Sequence, residues 1–327
     1  SLTTGFWEMR LGSLGLYLRF KDSSTVVLNS NAKFRDPSAW YHCVIAVDTT
    51  QATNSNRIKM YVNNQQITSF QYENYPSQNL SFRVNTTDQH QWGYGKSSSG
   101  AVDGPLDSYL AEINFIDGSQ YDPSYFGETN PATGQWNPKK YTGSYGTNGY
   151  YLNFSDNSGT TATTLGKDES GNGNNFTPNN FSVAAGVGND SVQDTPTNNF
   201  STINPLAGYS TTFEVPSNGN LDFSLANSEF AFSTFEIPTS GKWYVEILFT
   251  TFASGRCGIT NLATKNANKW HGIDHMGGAI RVDDSQVQSG LSPTIGDNKI
   301  VGIKVDRDAG TIAFTVDGSD SGTAVNI

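Results

Sequence analysis

Two stretches far apart in the chain repeat one alternation of apolar and polar side chains. Residues 40–67 read WYHCVIAVDTTQATNSNRIKMYVNNQQI, and residues 299–318 read KIVGIKVDRDAGTIAFTVDG. In the first, Val44 and Ala46, then Ile58, Met60 and Val62, fall on one period-2 face. In the second, Val301, Ile303 and Val305 pair with Ile312, Phe314 and Val316. Each stretch is two apolar runs around a polar turn, and the second run ends in an Asn-Asn or Asp-Gly pair. Period 2 bounded by turn residues predicts antiparallel strands with one buried face.

The same pattern predicts strands at Gly5–Leu11, Leu14–Lys21, Ser24–Leu28, Trp40–Asp48, Arg57–Val62, Gln65–Gln71, Ser81–Val84, Trp92–Gly95, Asp107–Phe115 and Tyr150–Phe154. A second series follows at Thr211–Val215, Leu221–Ser224, Glu229–Ser233, Lys242–Phe249, Arg256–Thr260, Ala279–Val282, Lys299–Asp306 and Thr311–Val316. Helical spacing is missing almost everywhere. The expected fold is all-β: two tandem antiparallel β-sandwiches, residues 1–155 and 206–327, joined by a Gly/Asn/Thr-rich connector at 156–205. Within the first, DPSYFGETNPATGQWNPKKYTGSYGTNG (122–149) is too long for a hairpin loop. It is expected to pack its own aromatic rings over an edge or end of the sheets. In the connector, Phe176, Phe181 and Phe200 read as anchors of an ordered but irregular segment. Trp40 and Trp243 open strands and are expected in the core. The chain starts inside a strand pattern and stops just after a turn with no closing strand, so a longer native polypeptide is expected.

Composition sharpens this picture. The 327 residues include 33 glycines, only 15% are charged, and the net charge is −10. Many glycines with few charges suit short strands and tight turns. An acidic chain without a basic stripe is a poor binder of phosphate backbones, so no nucleic acid is expected. No apolar run approaches the ~20 residues of a membrane helix, and membrane insertion is not expected. Cys43 and Cys257 sit mid-strand where small apolar side chains would serve, and read as two free thiols.

Several stretches carry a resemblance. Residues 38–67 resemble concanavalin A-like, laminin-G-type sandwiches, in which an aromatic-His strand opens a hairpin closed by a Tyr-Val-Asn turn. DSYLAEINFIDGSQYDPSYFGE (107–128) is similar to that family's closing strand. GKWYVEILFTTFASGRCGIT (241–260), followed by 298–318, is similar to the SPRY (B30.2-like) sandwich, without its C-terminal strands. Residues 126–198 resemble virion-associated proteins of tailed bacteriophages. The resemblance implies a tail fibre, appendage or capsid-surface component carrying lectin-like modules, located at the virion surface.

Candidate chemistry is sparse. Sugar binding needs exposed aromatic faces beside amides and carboxylates. Trp92 and Tyr94 in HQWGYGKSSSG, and Trp270 with His271 in NANKWHGIDH, stand in glycine-rich polar contexts of that kind. For metal, calcium is the candidate: Asp168, Ser170, Asn172 and Gly173 follow the opening spacing of an oxygen-ligand loop. Asn179 stands where the bidentate Glu belongs, and a plain Asx-turn is the alternative. The laminin-G resemblance offers Asp117 and Asp103 instead. His42, His90, His271 and His275 show no zinc spacing with carboxylate support. Glycoside hydrolysis needs two opposed carboxylates, yet Glu112 and Glu246 stand alone in their strands. The expectation is therefore a non-enzymatic phage structural protein that adheres to host-surface carbohydrate or protein, assembles with other virion proteins and forms a homo-oligomer. A decoration or connector protein touching only virion proteins is the first alternative. A polysaccharide depolymerase is the second.

Overall fold

The computed structural model describes residues 6–12, 15–21, 25–36, 39–86, 89–96, 102–103, 105–106, 108–131, 134–184, 189–207, 216, 219–225, 230–253, 255–260, 270–274 and 278–327. The chain forms two compact units, Ser1–Thr234 and Phe235–Ile327. Both are built from antiparallel sheets, and the described helical residues are two single 3-10 turns.

In the first unit β1 (Phe6–Gly12), β2 (Gly15–Lys21), β3 (Thr25–Ser30), β4 (Cys43–Val47), β5 (Ile58–Val62), β6 (Gln65–Gln66) and β7 (Phe70–Asn74) form two sheets, ordered β1-β2-β3-β7 and β4-β5-β6. The sheets share one core, where Leu16, Leu18, Phe20, Val26 and Leu28 of the first meet Ile58, Met60 and Val62 of the second. Asn63 and Asn64 both take positive φ, 46° and 67°, as a two-residue hairpin turn requires.

The face predicted for β4 is off by one residue. Opposite Ile58, Met60 and Val62 stand Val47, Ile45 and Cys43, so Val44 and Ala46 point away from that core. Every residue of CVIAV is apolar, and alternation alone cannot choose its face. Lys59 and Tyr61 of β5 mark the outside and set the register. Ser81–Val84 is not a strand. It lends Phe82 and Val84 to the core irregularly, with Phe82 stacked 4.2 Å from Phe20.

Short ladders follow: β8 (Gly95–Lys96) with β9 (Val102–Asp103), β10 (Ile113–Phe115) with β13 (Tyr150–Leu152), and β11 (Gly127–Thr129) with β12 (Trp136–Pro138). Ile113, Tyr150 and Leu152 anchor a small core with Trp92, Phe115, Phe154 and Phe176. Several rings of the 122–149 excursion gather with Tyr121. Tyr121, Tyr125, Phe126, Tyr141 and Tyr145 form a chain of contacts 4.2–5.8 Å apart. Of the three expected connector anchors, Phe176 is seated against Tyr150, while Phe181 and Phe200 are exposed.

In the second unit β14 (Lys242–Phe249), β15 (Arg256–Thr260), β16 (Trp270–Asp274), β17 (Ala279–Val282), β18 (Ser285–Gln288), β19 (Lys299–Asp306), β20 (Thr311–Val316), β21 (Ser319–Asp320) and β22 (Val325–Asn326) form two sheets. One runs β14-β19-β20-β21 with β22 also on β20, and the other β15-β16-β17-β18. Val301, Ile303 and Val305 lie opposite Val316, Phe314 and Ile312, as the alternation predicts. They meet Cys257, Ile273 and Ile280 of the other sheet in a second core. Five of these strands have the predicted limits, while β16, β18, β21 and β22 lie outside the predicted set. Thr211–Val215 lies outside the described residues, as does Glu229, and Leu221–Ser224 forms no named strand. Both cysteines are free, and burial pushes each thiol up to about 12.

Candidate functional site

Trp270 and His271 lie in strand β16, not in a loop. His271 is on the core side, opposite Ile259 and Val282, with Nδ1 accepting from the Asp283 N–H at 3.3 Å. Trp270 alternates to the other face with Gly272 and Asp274. A Cβ on Gly272 would come within 2.4 Å of the indole, so the missing side chain lets the ring lie flat on the strand. Arg256 covers the other side, 5.0 Å from the ring centroid. Asp284 closes the group, its Oδ1 accepting from Trp270 Nε1 at 3.1 Å and Arg256 at 3.2 Å. Beside it Arg281 pairs with Asp274, which is 1% exposed and whose Oδ1 is buried without a hydrogen bond. Both indole faces are thus occupied by the protein itself.

Trp92 and Tyr94 belong to the first unit. Trp92 packs on the β10–β13 core, meets Trp7 edge-on at 6.3 Å and donates to the Tyr150 hydroxyl at 3.2 Å. Tyr94 is half-buried, and its carbonyl accepts from Gln91 Nε2 at 3.1 Å.

Asp168, Ser170 and Asn172 do come together. Asp168 Oδ1 accepts from the N–H groups of Tyr151 and Ser170, at 2.8 and 2.9 Å. Oδ2 accepts from Ser170 Oγ and the Asn174 N–H, both at 2.9 Å. Four donors occupy the four lone-pair directions a cation would use. Asn172 turns its amide NH₂ toward the Gly146 and Gly149 carbonyls, at 2.7 and 2.9 Å. Burial alone would raise the Asp168 carboxyl, but these donors hold it below its ordinary value. The geometry is that of an Asx-type staple fixing the connector to β13, and it does not fit calcium. Asp117 is similarly engaged by Asn85 Nδ2 at 2.6 Å and the Asn148 N–H at 3.1 Å. The Asp103 side chain lies outside the described residues. Among the described residues no cluster of three His, Cys, Asp or Glu could hold a metal.

The two isolated glutamates are each held by a tyrosine. Glu112, at a positive φ of 53°, accepts from the Tyr151 hydroxyl, and Glu246 from Tyr244 at 2.7 Å. They stand in different units. A depression lined by Trp7, Phe20, Leu80 and Phe82 holds about 10 Å³, whereas sites enclosing a small molecule hold roughly 300–1,000 Å³.

No protein-family model and no curated protein sequence matches the chain. Among the described residues no helix is long and apolar enough to cross a membrane.

The surface that sequence reasoning missed is β14. Trp243, expected in the core, is 45% exposed, Tyr244 53% and Leu248 57%, with Val245 and Ile300 also open. Trp243 and Val245 stand opposite the buried Val305 and Ile303, so they face the core side at its uncovered margin. The signal was the unbroken run WYVEILF, apolar on both faces except at Glu246. Such a run fits a strand enclosed on both sides. Here it lies at the rim.

Proposed function

We propose that this chain is a non-enzymatic structural component at the surface of a tailed-bacteriophage particle, working through contacts with other virion proteins. In this reading the first unit is a concanavalin A-like, laminin-G-type sandwich and the second is SPRY-like. The observation that carries the non-enzymatic part is how the candidate polar and aromatic groups are spent. Trp92, Trp270, Asp168, Glu112 and Glu246 each bind groups of the chain itself. Exposed apolar side chains remain on β14, at Trp243, Tyr244 and Leu248, and contiguous exposed apolar surface is the kind used for assembly. The phage assignment rests on the resemblance of residues 126–198. A reconstruction of the particle tests it: density for both units on the exterior supports the proposal, and a particle without them overturns it. Release of reducing ends from host polysaccharide, abolished by Glu112→Gln or Glu246→Gln, would replace it with the depolymerase reading.

A second reading, host-surface glycan adhesion, is favoured by Tyr125. The residue is 46% exposed and its ring lies 4.2 Å from that of Tyr121, tilted by 35°, leaving aromatic surface toward solvent. A glycan array at millimolar sugar separates the two readings. Binding lost in Tyr125→Ala supports adhesion, and no binding leaves assembly alone.

A further inference from the structure

We infer that strand β14 pairs with β14 of a second copy of this chain, joining two second units into one continuous antiparallel sheet around a twofold axis. The inference holds whether or not the protein belongs to a virion.

Three observations carry it. Among the described residues β14 has one strand neighbour, β19, in an unbroken register of eight pairs with no bulge and no proline. Edge strands that must stay single are usually shortened, bulged or interrupted by charge. Here the charges within the strand are Lys242 at its first position and Glu246.

The parity of the edge comes next. Arg307 N–H donates to the Gly241 carbonyl at 2.9 Å, which makes residues 241, 243, 245, 247 and 249 the ones bonded to β19. The Asp317 N–H donates to the Ile300 carbonyl, so even residues of β19 serve β20 and odd ones serve β14, in agreement. The backbone groups of Lys242, Tyr244, Glu246 and Leu248 therefore point to the open edge.

The third is self-complementarity. With even residues bonding across the axis, the central registers place either Val245 or Glu246 on the twofold. The Glu246 register opposes two carboxylates, which is unfavourable. The Val245 register sets Tyr244 against Glu246 of the partner, whose side chains already bond within one strand at 2.7 Å. It sets Trp243 against Ile247 and Lys242 against Leu248. Directly opposed residues share a face, so Trp243, Val245 and Ile247 of both copies would form one apolar strip beside the two cores. A contact that uses the same patch twice closes on itself as a dimer.

Cross-linking of the full chain tests the register. Val245 would face its mate in a non-hydrogen-bonded pair, Cα atoms about 4.5 Å apart, within the span of a disulfide. Under mild oxidation Val245→Cys is expected to give a covalent dimer, whereas the wild type, with Cys257 buried and Cys43 partly buried, does not. In sedimentation the wild type is expected to dimerise, and Val245→Lys, opposing two ammonium groups, to weaken it by about tenfold or more. Val245 is already partly open, so the lysine has room in the single chain. A wild type that stays monomeric up to about 100 μM, or a Val245→Cys that fails to cross-link, overturns the inference. A β14 captured instead by a strand of another protein overturns it too.

Discussion

On the four-stranded sheet of the second unit a tryptophan that faces away from the core is enclosed. On the margin of the neighbouring sheet, one that faces the core is open. Trp270 owes its burial to Gly272 beneath it, Arg256 above it and Asp284 at its edge. Trp243 has a single indole bond, to the Ser240 carbonyl at 2.8 Å, and nearly half its surface in solvent. Which side of a strand a residue takes is a local property. Whether that side is covered depends on what the rest of the chain lays over it.

The largest effect that would break this contrast is at Arg281. Asp274 is buried with one oxygen already unanswered, and Arg281 neutralises the other. Arg281→Ala strands a buried carboxylate and is expected to cost roughly 3–5 kcal/mol, read as a fall in the denaturant midpoint. Replacing both by apolar residues should restore much of the loss. Trp270→Ala should cost a similar 3–5 kcal/mol. Trp243→Ala, with about half the area to lose, should cost clearly less under conditions where the chain is a monomer. Equal losses at the two tryptophans would refute the contrast.

In the first unit Asp168 belongs to the enclosed kind. It is 5% exposed, and Asp168→Ala orphans four donors, for roughly 1–3 kcal/mol. Its pH dependence has a definite sign. The folded carboxyl is held below its ordinary 3.8, so its contribution is complete above that value and is lost as pH falls through the folded pKa. An Asp168→Asn variant should show a shallower loss of stability below pH 3.8. His42 gives a smaller effect in a different window. Burial lowers its pKa below 6.5, and Nδ1 accepts from Trp136 Nε1 at 2.9 Å, which fixes the neutral ring. Below pH 6.5 the unfolded chain takes the proton first, so this contribution is full above that pH and fades as pH falls through the folded value. Tryptophan fluorescence should report the loss, and His42→Gln should flatten the profile.

The division between legible and hidden follows the same contrast. Apart from Ile300, KIVGIKVD and TIAFTV carry a polar or small residue between their core-facing positions, and their register came directly from the sequence. Turn residues did the same for Asn63-Asn64 and Asp317-Gly318. CVIAV, apolar throughout, gave no such marker, and its face was misassigned. WHGID concealed a strand because its two conspicuous residues, Gly272 and Asp274, look like turn formers. One of them is the floor under an indole, the other half of a buried ion pair. Contacts between residues distant in sequence, such as Arg256 with Trp270, leave no local trace at all. For the same reason the Asp168 spacing could suggest calcium: a ligand loop and an Asx-type staple differ in which donors reach the carboxylate, not in the order of residues.

The smallest expected effect lies at the open end of the contrast. Lys299 and Asp317 form an ion pair with both side chains more than two-fifths exposed. Asp317 is held below its ordinary pKa first by Lys299, and then by the Ile300 N–H, which its Oδ1 accepts at 3.0 Å. Lys299→Ala removes the ammonium and leaves the backbone donor in place, while water replaces the lost partner. The unfolding midpoint is therefore expected to stay within error of the wild type, at low salt and at high salt alike. Asp317→Ala also disturbs a turn with positive φ at Asp317 and Gly318, so it should cost more than the lysine change. A large loss from Lys299→Ala would mean that exposure does not sort these side chains, and that the margin of the β14–β19 sheet is less open than Trp243 and Leu248 make it.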